Sequence, residues 1–324
     1  MQRRRFIAAA GALAALPLTA FAQGFPSRQL RLVVPFPPGG PTDLFARQYG
    51  QRLGAVLGQP VVVDNRAGAS GAIGSLEVMR AAPDGHTLLF GTASTHALYN
   101  LMNPKPQYDA LRDFAPVAIV GGAAIVFAAN PAMPGDLRAV MAEARARPGR
   151  LRYGSPGSGT MMHIAAERLK REAGGLDITH IPYKGSAQAK TDLIGGQVEL
   201  ITDTLGASLP DHKAGKLRIL AIAAAKRSPE APDVPTVDEA LGTKGFEAIL
   251  WNVVAAPPGT PAPVLEALSV ATAKVMADAS LRESLARFAI QAETGSNPAK
   301  AAAYLRSEME RWKPVVDAAG IKLD

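Results

Sequence analysis

Cysteine is absent from all 324 residues. That excludes disulfides, thiol catalysis, zinc–thiolate sites and iron–sulfur clusters. A chain without such staples must be held by its hydrophobic core, and 48% apolar residues can supply one. Aromatic residues make up only 6% of the chain and nowhere interleave with a basic run, so no nucleic-acid partner is expected. The five histidines, His86, His96, His163, His180 and His212, show no metal-ligand spacing. Phosphate-binding motifs of the types G-x-x-x-x-G-K-[ST] and G-x-G-x-x-G are missing, and so is the G-x-S-x-G elbow of a serine hydrolase. Neither a metal nor a cofactor is expected.

What is present begins with a leader. Arg3-Arg4-Arg5 forms a basic start, Phe6 to Leu18 an apolar run, and Ala20-Phe21-Ala22 a cleavage site. The run is short for a membrane span, and no later segment reaches that length. Residues 1–22 therefore read as a signal peptide cleaved after Ala22, and the mature protein as periplasmic. Arg4-Arg5-Phe6-Ile7 also fits a twin-arginine signal, although such a signal favours a more polar flank, so both export routes stay open. Removing 22 of 324 residues leaves 302. Taking three arginines from a net charge of +7 leaves +4, a mild excess for that length.

The mature chain repeats one unit, a strand followed by a helix. Leu30–Pro35, Val61–Val63 and Thr87–Phe90 read as strands, with helices near 43–57 and 71–81. The long apolar stretch Val117–Ala129 is broken by Gly121-Gly122, and helices are expected near 137–147, 163–172 and 187–194. Strands are expected at 151–153, 178–181, 200–201, 217–223 and 249–255. Helices near 263–277 and 298–319 close the chain, with Pro314 kinking or splitting the last. Apolar runs without polar alternation predict strands covered on both faces, hence mostly parallel sheets between helices.

Three glycine-rich loops follow strands and precede helices: Pro35 to Asp43, Asp64 to Gly71, and Tyr153 to Thr160. Glycine lets backbone approach a ligand, and N–H groups at a helix start attract anions. Arg66 is the only cation in the three loops. Such loops suit a small carboxylate held by backbone dipoles and hydroxyls.

These segments, together with Pro83–Leu88 (PDGHTL), Ile181–Val198 (IPYKGSAQAKTDLIGGQV), Val234-Pro235-Thr236, Ala256–Pro261 and Glu310-Arg311-Trp312, resemble the substrate-binding receptors of tripartite tricarboxylate transporters. That group is also called the Bug family of periplasmic solute-binding proteins. The likeness covers the whole mature chain. It implies an α/β fold of the two-lobed Venus-flytrap kind, type II-like, with each lobe a mostly parallel sheet flanked by helices. Lobe 1 is expected over 23–124 and 250–324, lobe 2 over 125–249. The resemblance also implies a monomer that delivers a di- or tricarboxylate, an acidic or amidated amino acid, or an aromatic acid to membrane transporter subunits. His86, Gln188-Ala189-Lys190 and Ile201-Thr202 depart from the family pattern, which makes the ligand of a relative an unsafe guide.

Each candidate contact also has an ordinary role. Gly39, Gly40 and Thr42 form the first anion seat or, alternatively, a tight turn with a threonine cap. Phe36 stacks on the ligand or plugs the cleft floor. Asn65, Ala67, Gly68, Ala69 and Ser70 line the second loop, and Thr92, Ser94 and Thr95 a third strand end, where hydroxyls also satisfy local backbone. Arg66 is expected to tie its loop to a carboxylate. Ser155, Gly157, Ser158, Gly159 and Thr160 make a nest of donors at a helix start. Lys184 takes a structural role on the family reading. Asp203 would repel a plain dianion yet accept an ammonium or hydroxyl; otherwise it caps the next helix. Two other outputs stay open: a ligand sensor acting through a membrane histidine kinase, and a hydrolase.

Overall fold

The structure, a computed structural model, describes residues 24–323. The expected leader and its cleavage site lie outside them. Among the described residues no helix is long and apolar enough to cross a membrane.

The chain opens with β1 (Leu30–Val34), α1 (Pro41–Leu57), β2 (Val61–Asn65), α2 (Ala72–Met79) and β3 (Thr87–Thr92). β1 lies between β2 and β3, parallel to both. A π-helical turn at Ser94–Leu98 leads to α3 (Tyr99–Met102) and then to β4 (Ala115–Ala129), a single strand of 15 residues. Gly121 and Gly122 do not break it. A Cβ on Gly121 would lie 2.1 Å from the Gln291 carbonyl oxygen, and one on Gly122 2.7 Å from that of Leu250. Glycine is there because flanking strands press onto the backbone, with Gly121 at φ 125°.

The middle of the chain supplies α4 (Leu137–Ala146), β5 (Arg152–Ser155), α5 (Met161–Glu172), β6 (Thr179–Pro182), α6 (Ser186–Ile194), β7 (Leu200–Thr204), α7 (Leu205–Lys213), β8 (Arg218–Ile222) and α8 (Val237–Leu241). β5 pairs parallel with β6 and β7, whereas β7 and β8 run antiparallel to β4. The chain returns through β9 (Ile249–Ala256), α9 (Ala262–Ala277), α10 (Ala279–Ala286), β10 (Ile290–Ala292) and α11 (Pro298–Ala319).

β4 joins the two halves of the sheet. Its residues up to Ala124 pair with β9, and Ala123 to Gly121 also with β10, while Ile125 onward pairs with β7. The pairing is therefore mixed rather than mostly parallel. Parallel ladders hold the outer strands, and antiparallel ones form wherever β4 or β9 passes between the halves. Three further expectations change. α10 and β10 occupy a stretch with no expected element, the π-helical turn was not foreseen, and α11 continues as one helix through Pro314.

Separate apolar clusters stabilise the halves. Leu30, Leu32, Phe45, Tyr49, Leu53 and Phe90 pack with Leu268 and Val275 of α9 in one. Val126, Leu193, Ile201, Leu205 and Ile219 form another. α11 is shared: Leu305, Trp312 and Val316 pack in a cluster containing Leu98 as well as Met161 and Ile164 of α5.

Candidate functional site

A cavity of about 270 Å³ lies where strand ends of the two halves meet. One wall is Phe36 to Thr42 with Ser94; the other includes Thr160, Lys184 to Gln188, Lys190 and Asp203. Two hydrogen bonds bridge the halves at its rim. The Ser70 hydroxyl donates to the Ser158 carbonyl, and the Met161 N–H donates to Ser94 Oγ at 3.0 Å.

Two helix starts face this space. α1 begins at Gly40 with Pro41 as its first residue, and α6 begins at Gly185; neither has a side-chain cap. α4, α5, α8, α10 and α11 are capped by Asp136, Thr160, Thr236, Asp278 and Asn297, whereas α2, α3, α7 and α9 also lack a side-chain cap; α1 and α6 are the uncapped starts whose first residues line the cavity. A cap contributes about 1 kcal/mol, so α1 and α6 forgo that and leave N–H groups at Thr42, Asp43 and Ser186 to Gln188 without intrahelical partners. With the helix dipoles behind them, such donors suit anions, one set on each wall.

The first seat is braced from behind. Asp43 accepts from the Gly39 N–H at 2.9 Å, from Arg47 Nε at 3.0 Å and from Asn65 Nδ2 at 2.9 Å. Burial disfavours the charged carboxylate, but Arg47, Gly39 and Asn65 outweigh it and hold Asp43 below its ordinary pKa. Asn65 also donates to the Phe36 carbonyl and accepts from Arg47, so it positions the loop and does not line the cavity. Phe36 does line it while also packing against the core near Gly71.

Other candidates divide similarly. Ala67, Gly68 and Ala69 are exposed and off the cavity, and Ser70 is spent on the rim contact. Arg66 pairs with Asp64 at 3.1 Å, as expected of a loop tie. Thr92 and Thr95 are fully buried and bond each other's backbone or side chain, leaving only Ser94 on the wall.

In the second half, Ser155 Oγ lies 2.7 Å from His180 Nε2 and also bonds Gly157. It is fully buried, so that serine–histidine pair is closed to a substrate. The Gly159 N–H is taken by His163 Nδ1, and the Ser158 carbonyl by Ser70. Thr160 caps α5 and reaches the wall; Ser155, Gly157, Ser158 and Gly159 do not line it. The donors facing the cavity there belong to α6, which sequence reasoning missed. Tyr183-Lys184-Gly185 before a helix repeats the strand–glycine–helix pattern of the first loop, and that was the available signal. Lys184, read as structural, lies on the wall.

Behind the Ser155 loop, His180 stacks between Tyr153 and His163, with ring centroids 4.8 and 4.1 Å away. Burial lowers His163 to about 4, with Lys170 adding to it, and lowers His180 to about 3, helped by His163. His96 is fully buried beside the cavity's Ser94, its Nε2 has no partner, and burial lowers it to about 3. A histidine whose folded pKa lies below the unfolded 6.5 binds fewer protons when folded. Stability should therefore fall as pH drops from about 6.5 toward 4 and level off below the folded values. The urea midpoint is expected to be lower at pH 5 than at pH 7; an unchanged midpoint would contradict the buried, neutral assignment.

A larger opening, about 1040 Å³, is lined by Gly121, Gly122, Trp251, the 226–230 connector, Gln291 and Tyr304. None of the candidate ligand residues reaches it, and the chemistry favours the smaller cavity. Among the described residues no group of three or more metal-ligating side chains comes together.

Residues 45–321 match the family model described as tripartite tricarboxylate transporter family receptor. The chain is 38% identical over 322 residues to protein BugT of Bordetella pertussis, covering 98% of this chain and 96% of that one. Two solved structures from Rhodopseudomonas palustris are similar. MatC with bound malate has a TM-score of 0.84 at 33% identity, covering 90% of this chain and 100% of its own. Rpa4515 with adipate has a TM-score of 0.87 at 36% identity, covering 92% and 99%.

Proposed function

The chain belongs to the tripartite tricarboxylate transporter family of receptors, and on that premise we propose that it captures a small dicarboxylate between its two lobes and delivers it to a membrane transporter of that type. The observation carrying this reading is the pair of uncapped helix starts, α1 and α6, facing one cavity from opposite walls. Each seat takes one carboxylate through backbone N–H groups, and Thr42 and Ser94 add hydroxyls, whereas that of Thr160 is held by the Gly157 carbonyl. Apolar Phe36, Met162 and Leu250 suit the methylene centre of such an acid. The size of the cavity and the malate and adipate held by two relatives support a ligand of four to six carbons.

The change of partners along β4 supports lobes at 23–124 with 250–324 and at 125–249. The hydrogen bonds that bridge the halves at the rim then act as the clasp of a closed cleft. A periplasmic site of action and export by the leader at 1–22 follow from the same reading.

A thermal-shift screen of di- and tricarboxylic acids tests it. An acid at a hundred times its Kd should add about 2.7 kcal/mol of stability by mass action. Methyl esterification should abolish the shift and EDTA should not. A diester that binds as well as its acid would show that the helix starts are not anion seats.

A further inference from the structure

Asp203 ends β7 at the wall of the cavity and is only 1% exposed. Its Oδ1 accepts the Thr204 N–H at 2.8 Å, and its Oδ2 has no partner. The hydroxyls of Ser186 and Ser208 are near enough to favour the charged form, but neither makes a well-formed bond to Oδ2. Lys190, the cation acting on Asp203, is spent on Asp211 at 2.9 Å and on the Ala207 carbonyl at 2.8 Å. Burial therefore dominates and pushes the Asp203 carboxyl up. An unpaired acceptor buried this deeply is costly unless something else supplies the donor. Oδ2 itself is covered, but Asp203 borders the cavity, so a ligand pressed against this wall can supply the remaining donor.

Where that donor sits on the ligand follows from the neighbours. Ser186 is the first residue of α6, so Asp203 lies beside the anion seat of that helix. A carboxylate held by α6 brings its adjacent carbon next to Oδ2. Resting on the carboxylate reading above, we propose that Asp203 determines specificity: its Oδ2 accepts a hydrogen bond from a hydroxyl or ammonium on the carbon next to the α6-bound carboxylate. The preferred ligands are then 2-hydroxy or 2-amino dicarboxylic acids. A plain dicarboxylate leaves the acceptor unpaired and brings a second negative charge beside it.

Calorimetric titration with succinate, malate and aspartate tests this, because the three share a carbon chain and differ at one substituent. The wild type is expected to bind malate or aspartate at least tenfold more tightly than succinate. Preference between those two tells hydroxyl from ammonium. Asp203→Asn, close in shape, should bring succinate to within threefold of the favoured acid and weaken aspartate most, since an ammonium loses its counter-charge. Succinate binding as tightly as both others to the wild type would overturn the proposal without recourse to the variant. So would an unchanged order in a folded Asp203→Asn protein. If none of the three acids binds, the dicarboxylate reading itself fails and takes this inference with it, an outcome distinct from binding without preference.

Discussion

Gly40→Val is expected to fold as the wild type does and to lose dicarboxylate binding by a hundredfold or more. Gly40 has φ −79° and ψ 169°, an extended conformation open to any residue and comfortable for a β-branched one. A Cβ there meets only the Pro37 carbonyl oxygen, at 3.7 Å, an ordinary contact. The substitution therefore introduces no backbone strain. Its methyl groups enter space beside the Thr42 and Asp43 N–H groups, where the proposed seat holds a carboxylate. Hydrogen bonds to a charged group contribute about 1.5–3 kcal/mol each, so losing two costs about 3–6 kcal/mol. That exceeds the 2.7 kcal/mol of a hundredfold change. Titration calorimetry reads the affinity and a melting curve without ligand reads the fold. A folded variant binding within threefold of wild type would remove α1 from the site.

The second large effect is on stability. Glu308 is a buried acid of α11 that serves both tryptophans of the chain. Its Oε2 accepts from Trp251 Nε1 at 2.8 Å and from Trp312 Nε1 at 3.2 Å, while Oε1 meets Arg311 at 3.2 Å. Trp251 lies on β9 and Trp312 on α11, so one carboxylate ties the C-terminal helix to a strand passing between the halves. Glu308→Ala leaves two buried indole N–H groups without an acceptor and opens a void. Breaking such a network costs about 3–5 kcal/mol. At about 2–4 °C per kcal/mol for a large domain, melting should fall on the order of 10 °C. Glu308→Gln keeps one acceptor oxygen and should lose clearly less. Equal melting temperatures for Glu308→Ala and wild type would show that the tryptophans find other partners.

Much of the architecture was legible residue by residue. The run Leu30–Pro35 gave β1 to within one residue, and the glycine loop after it gave the start of α1, because local periodicity and turn chemistry are short-range properties. The same logic overreached at Gly121-Gly122, where glycine reads as a break but instead allows close approach by other strands. It missed β10, three residues whose strand geometry exists only through pairing with β4. Pro314 carried a helix-breaking signal that α11 overrides, with Trp312 and Val316 packed in the core on either side of it.

At the site, Gly39, Gly40, Thr42, Phe36, Ser94, Thr160 and Asp203 were named from sequence and lie on the cavity wall. The Ser155–Gly159 loop has equally suggestive composition, yet its donors are consumed by His180, His163 and neighbouring carbonyls. Composition and patterning established an α/β chain without disulfides whose cation-poor glycine loops suit an anion, since residue type limits what a loop can donate. Which donors stay free was decided by tertiary structure alone. A hydrogen-bonding group is available to a ligand only if nothing brought near it by folding has taken it first, and two of the partners that took them lie 25 and 88 positions away along the chain, His180 for Ser155 and Ser70 for Ser158.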